Sequence, residues 1–274
     1  MQRQSISPKG ALTFWTPQPV VVEAFADALR SAGFPECTPN PRTDRSALEA
    51  AIKDTYGTKD RLVQPRKKPN RHGVELVQVE RDEVRNHYVT SFGAKVQEGQ
   101  VVTDYGHADR ETLQEQYESA KAVLTPNAVS KALLDILGKL QGSRPLKPGV
   151  YWLPPDSLDR WREVIGQLEQ INAADVVVCE VEMDPSLADV VLDRFAEEVN
   201  AEVLEILDAL GKGTLSPEGI EVRKEKAADL LEKINVYAEA LDTDLQELRR
   251  VAQLAKSAAV RAAMKQMPAL AVGV

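Results

Sequence analysis

Three histidines, His72, His87 and His107, are the side chains best suited to hold a transition metal, and all three fall in one stretch of the chain. Histidines on neighbouring strands can converge on zinc or iron, with Asp104 or Asp109 as an oxygen ligand. Their spacing matches no familiar ligand motif, however. "NRHG" and "YGHAD" read as loops, where a solvent-facing histidine is ordinary, so the sequence leads us to expect no metal and no cofactor.

The carboxylates of "VELVQVERDEV" raise a second chemistry, a Mg²⁺ site of the nuclease kind, which needs acids converging on one face. Glu75 and Glu80 have opposite parity and point to opposite faces of a regular strand, so "ERDE" is read as a charged hairpin turn. No GxSxG, Walker A, GxGxxG or HExxH pattern occurs. "LGKGTLS" lacks the upstream glycine of a phosphate loop and follows a helical pattern, which makes it a helix stop. Cys37 and Cys179 have no CxxC partner. Cys179, inside an apolar run, is expected to be packed in the core as a reduced thiol. With no catalytic constellation recognised, the reading leans away from an enzyme.

The strongest binding signal is "RLVQPRKKPNRHG", where Arg61, Arg66, Lys67, Lys68 and Arg71 surround prolines 65 and 69. The prolines forbid helix, so these cations cannot all be neutralised by carboxylates one helical turn away. Such a loop can grip nucleic-acid phosphates, pair with the acidic helices of a partner or another copy, or guard a strand edge. The rest of the chain does not reinforce a polyanion-binding surface, because its net charge is -8 with a pI near 5.1.

At 274 residues, with 43% hydrophobic and 28% charged side chains, the chain suffices for one good core or a core with an appendage. No signal peptide or membrane-spanning run is evident, so a cytoplasmic protein without membrane partners is expected.

Several elements must position these groups. "GALTFW" reads as a strand, followed by a helix over 17–30 and a second helix for which Asp44 is the expected N-cap. From 61 to 105 the apolar period becomes two, which predicts an antiparallel meander of three or four strands. Helices near 109–124 and 126–140 follow, divided by "TPN". "VYWLPP" then repeats the pattern of "LTFWTP", each followed by an amphipathic helix, so the two strands are expected side by side in one sheet with Trp15 and Trp152 in equivalent places. Together with Trp161 these tryptophans are read as core packing at a sheet–helix interface and not as a base-stacking platform. "ADVVVCEVEMD" is the most hydrophobic strand and is expected to be central.

After Pro185 the pattern is helical, and Leu230, Ile234, Tyr237, Leu241, Leu245 and Leu248 step by three or four residues like a coiled-coil seam for oligomerisation. The run is either one long helix or two, broken at "LDTDLQ". The expected fold is therefore α+β: a mixed sheet with the meander, flanked by helices, over 1–184, then a helical hairpin or coiled-coil arm over 185–274. The function expected is that of a non-enzymatic assembly or adaptor protein, which oligomerises or docks a partner through this arm. Nucleic-acid binding by the 61–72 loop is the alternative.

Overall fold

A computed structural model describes residues 9–57, 61–65, 73–81, 86–105, 109–143, 146–147 and 149–266. The first half runs β1 (Lys9–Pro17), β2 (Val20–Val21), α1 (Val22–Ser31), α2 (Asp44–Tyr56), β3 (Arg61–Pro65), β4 (Val74–Arg81), β5 (Asn86–Gln97), β6 (Gln100–Tyr105) and α3 (Arg110–Ala122). It continues with β7 (Val123–Leu124), α4 (Pro126–Lys139), β8 (Tyr151–Leu153), α5 (Leu158–Gln170), β9 (Ala174–Glu182), α6 (Pro185–Gly211), α7 (Pro217–Ala240) and α8 (Gln246–Gln266). The fold is α+β with a C-terminal helical arm. Among the described residues no helix is long and apolar enough to cross a membrane.

The chain forms two compact units, one of Pro17–Leu133 and Gly166–Asp175, the other of Met1–Thr16, Leu134–Ile165 and Val176–Val274. The arm after residue 184 falls in the same unit as the tryptophan-bearing strands. Its apolar face accounts for this, since a helix stripe must be buried against another element.

In the first unit the meander makes an antiparallel sheet of its own, in the order β3-β4-β5-β6. Alternation puts Val74, Leu76, Phe92 and Ala94 inward, where they pack with Leu48 and Ile52 of α2 and Leu113 and Tyr117 of α3. The β5–β6 turn is made by Glu98 (φ 50°) and Gly99 (φ 78°) between paired Gln97 and Gln100, the left-handed pair that a two-residue hairpin requires. Val20 and Val21 are drawn out of the first helical pattern by pairing with Leu124 and Val123, so α1 begins at Val22. Thr43 caps α2 in place of Asp44, accepting from Ser46 N at 3.3 Å. Asp44 instead accepts from Lys121 Nζ at 2.7 Å and Tyr117 Oη at 2.8 Å, and these bonds hold its carboxyl below the ordinary carboxylate range.

In the second unit the sheet order is β8-β1-β9. β1 and β8 are antiparallel neighbours, with Leu12 opposite Trp152 and Thr13 opposite Tyr151. On one face Trp15 stacks on Tyr151 at 4.7 Å, and Trp161 of α5 donates to the buried Thr13 hydroxyl at 3.0 Å. On the other face Leu12 and Trp152 pack against α6 and α7. The two tryptophan motifs do lie side by side, yet they serve opposite faces.

β9 is an edge strand, not a central one. Val177 is 42% exposed and Cys179 is exposed as well, because only one face of the strand meets the protein. Its run of valines satisfies a half-covered edge. Cys179 is therefore expected to react with a maleimide in the native protein while buried Cys37 does not. Equal labelling of both thiols before unfolding, read by intact mass, would contradict this placement.

Candidate functional site

Of the basic stretch, Arg61 opens β3 and pairs through its backbone with Gln78, which places it on the outermost strand of the meander sheet. Arg66, Lys67, Lys68 and Arg71 lie outside the described residues, as do His72 and His107. His87 pairs through its backbone with Glu80. The Asp109 carboxylate caps α3, accepting from Glu111 N at 3.1 Å and Thr112 N at 3.2 Å. Among the described residues no group of three or more His, Cys, Asp or Glu could hold a metal ion.

The seam is engaged within the chain. Leu230, Ile234, Tyr237, Leu241 and Leu245 are buried in one core with Val191, Phe195 and Val199 of α6, and Leu248 packs against that core. α7 stops because Asp242 turns left-handed (φ 47°), and Asp244 then accepts from Gln246 N at 3.1 Å as α8 begins. The helical run is therefore broken at "LDTDLQ", and α7, of 24 residues, spans about 36 Å.

Two charged residues sit inside this apolar core. Glu198 falls three residues after Phe195 on α6, and Lys233 falls between Leu230 and Tyr237 on α7, so both occupy the inward phase of their helices. Lys233 Nζ donates to Glu198 Oε1 at 2.8 Å and to Gly142 O at 2.7 Å, with side-chain exposures of only 10% and 7% for the pair. They line a cavity of about 300 Å³ with Leu134, Leu137, Gly138, Gly142, Ser143 and Tyr151. Neither residue stands out in the sequence by type alone, because charged side chains on an amphipathic helix ordinarily lie on its solvated face. The signal was there in their phase.

One turn after Lys233, Tyr237 stacks on Phe195 at 3.8 Å and meets Trp152 edge-on at 4.9 Å. Its buried hydroxyl has no hydrogen-bond partner among the described residues. Burial, and secondly the Glu198 carboxylate, push this phenol well above its ordinary value. Its proton is therefore retained in the fold when an unfolded chain would lose it, and stability falls as pH rises past the unfolded tyrosine pKa of about 10. Tyr237→Phe removes an unpaired hydroxyl, so urea unfolding at neutral pH is expected to show stability unchanged or raised, with a weaker decline above pH ~10. A loss of several kcal/mol at neutral pH would mean that the hydroxyl is bonded.

A second concave surface lies at the far end of the same helices. A groove of about 530 Å³ is lined by Leu207 and Leu210 of α6, Leu215 and Ile220 across the α6–α7 turn, and Ala258 and Ala262 of α8. Gly213 (φ 66°) allows that turn, and Ser216 restarts the helix by accepting from Gly219 N at 3.1 Å. The small side chains of α8 leave the space. Leu204 and Met264, each 66% exposed, lie on the same two helices. The charged residues lining the groove are both cationic, Arg261 and Lys265, and neither forms an ion pair among the described residues.

The sequence profile of a family of unknown function (DUF6744) matches residues 10–268. The chain belongs to this family. The match takes in both units of this DUF6744 member, including the buried pair, the groove and the basic stretch. No curated protein and no solved structure shows a significant match.

Proposed function

We propose that this DUF6744 member is a non-enzymatic assembly or adaptor protein that docks a protein partner through its C-terminal helices. The observation that carries the reading is the groove: an apolar floor with a cationic rim, on a chain of net charge -8. Its occupant is an amphipathic helix with apolar anchors spaced at i, i+3/i+4 and i+7 and with acidic flanks, because that segment complements both floor and rim. The seam residues support docking at the groove over self-association through the seam, since their apolar surface is already covered.

The test uses a synthetic helix with leucine anchors and glutamate flanks. Titration calorimetry is expected to show saturable binding that weakens at least about tenfold, or 1.4 kcal/mol, in an Arg261→Glu, Lys265→Glu variant. Equal affinity in the variant would remove the reading.

A second reading, nucleic-acid binding, rests on the basic stretch, which begins in the edge strand β3 of the meander sheet and carries five cations in the sequence. Its signature is an affinity that falls steeply with salt and is lost when Arg66, Lys67, Lys68 and Arg71 become alanine.

A further inference from the structure

An open sheet edge is a template for a further strand, so folds ordinarily blunt it. In the meander, β3 ends on Pro65, which has no N–H, and on β6 the Val101 N–H is taken by Gln114 Oε1 of α3 at 2.7 Å. In the other sheet the β8 edge is three residues long and wholly buried. The β9 edge is long and bare. It runs nine residues without proline, lysine or arginine. Among the described residues no strand lies beyond it, and no backbone bond from outside its sheet reaches Val176–Glu182. Every second residue there turns its N–H and C=O outward.

The side chains of β9 select the partner. By strand alternation Val177, Cys179 and Val181 share one face, where Val181 packs against the α6–α7 core while Val177 and Cys179 are exposed. Val176, Val178, Glu180 and Glu182 share the other. Glu180 pairs with Arg162 of α5, and Glu182 is exposed, with no ion pair among the described residues. A second β9 brings no cation to this face, so self-pairing leaves its carboxylates unmatched. A strand with apolar residues on one face and cations on the other complements both sides. We infer that the outer edge of β9 docks an extended segment of a partner protein in which β-branched residues alternate with lysine or arginine, added to the sheet as a further strand. This edge shares no residue with the helix-docking groove, so either surface can fail without the other.

The full-length chain is titrated with two peptides, one alternating valine with lysine and one alternating valine with glutamate. Salt is held at about 0.15 M, where long-range attraction to the acidic chain is screened. NMR follows the backbone amides of Val176–Glu182. The lysine peptide is expected to shift them saturably, to slow hydrogen exchange at every second amide, and to bind at least about tenfold tighter than the glutamate peptide. Its fully N-methylated form keeps the side chains but has no N–H to pair, and is expected not to bind there. Glu182→Lys, a change at an exposed position, is expected to weaken the lysine peptide about threefold. Equal affinity for the two peptides, undiminished binding of the N-methylated form or by Glu182→Lys, shifts centred elsewhere, or no saturable shift overturns the assignment. Light scattering on dilution covers the remaining occupant: self-association that protects the same amides without peptide gives the edge to a second copy and overturns it as well.

Discussion

Replacing Lys233 with methionine is expected to destabilise the protein by roughly 3–5 kcal/mol, although methionine matches the stem in length and apolarity. The cost lies in what remains. Glu198 keeps a carboxylate whose side chain is 7% exposed, and Gly142 O loses its donor at 2.7 Å. A buried charge without its counter-charge is more damaging than the absence of both, because the desolvation cost persists while the attraction is gone. The double change Glu198→Leu, Lys233→Met is therefore expected to recover most of the loss. Urea unfolding of the two single variants and the double closes the cycle. Single-variant losses that simply add would contradict a direct coupling between α6 and α7.

Trp152→Ala is expected to cost about 3–5 kcal/mol, the range for removing a large aromatic from a packed core. Trp152 is fully buried, faces Tyr237 at 4.9 Å and belongs to the cluster that joins the β1–β8 face to α6 and α7. Gly10 shows how closely this ring is packed, since a Cβ there would meet Trp152 Nε1 at 2.2 Å. Trp15→Ala should cost clearly less. Trp15 occupies the matching place in the other motif but is only half-buried and stacks on Tyr151 on the opposite face. Equal losses for the two tryptophans in urea melts would mean that the motif, and not the face it serves, sets the energetics.

That comparison shows where sequence reading succeeds. Period-two alternation marked 61–105 as a meander, because strand parity is a local property, and Val74, Leu76, Phe92 and Ala94 form its inward face. The "LTFW" and "YWL" strands were legible as neighbours, while their antiparallel register, with Leu12 opposite Trp152, comes from the structure. Long-range competition was not legible. Val20 and Val21 fitted a helix until Val123 and Leu124 offered them a ladder. β9 has the composition of a central strand, yet its place in the order is fixed by which strands reach the other edge of β1.

The candidate sites follow the same division. The seam was visible as spacing, but spacing does not say whether the complementary surface belongs to another chain or to the same one; here Phe195 and Val199 of α6 take that place. Glu198 and Lys233 were hidden for a related reason, since a charge in the inward phase of a helix is unusual enough to be assigned outward. The groove had no sequence signature at all. It arises where Ala258 and Ala262 leave room beside Leu207 and Leu210, a matter of packing between separate helices.

The most direct test of the docking account is an NMR titration of the full-length chain with two leucine-anchored helices that differ only in their flanks, glutamate in one and lysine in the other. The account predicts that the glutamate helix binds at least about tenfold tighter and that its shifts concentrate on Leu207–Ile220 and Ala258–Lys265. Equal affinity for the two helices, or shifts centred elsewhere on the chain, would contradict it.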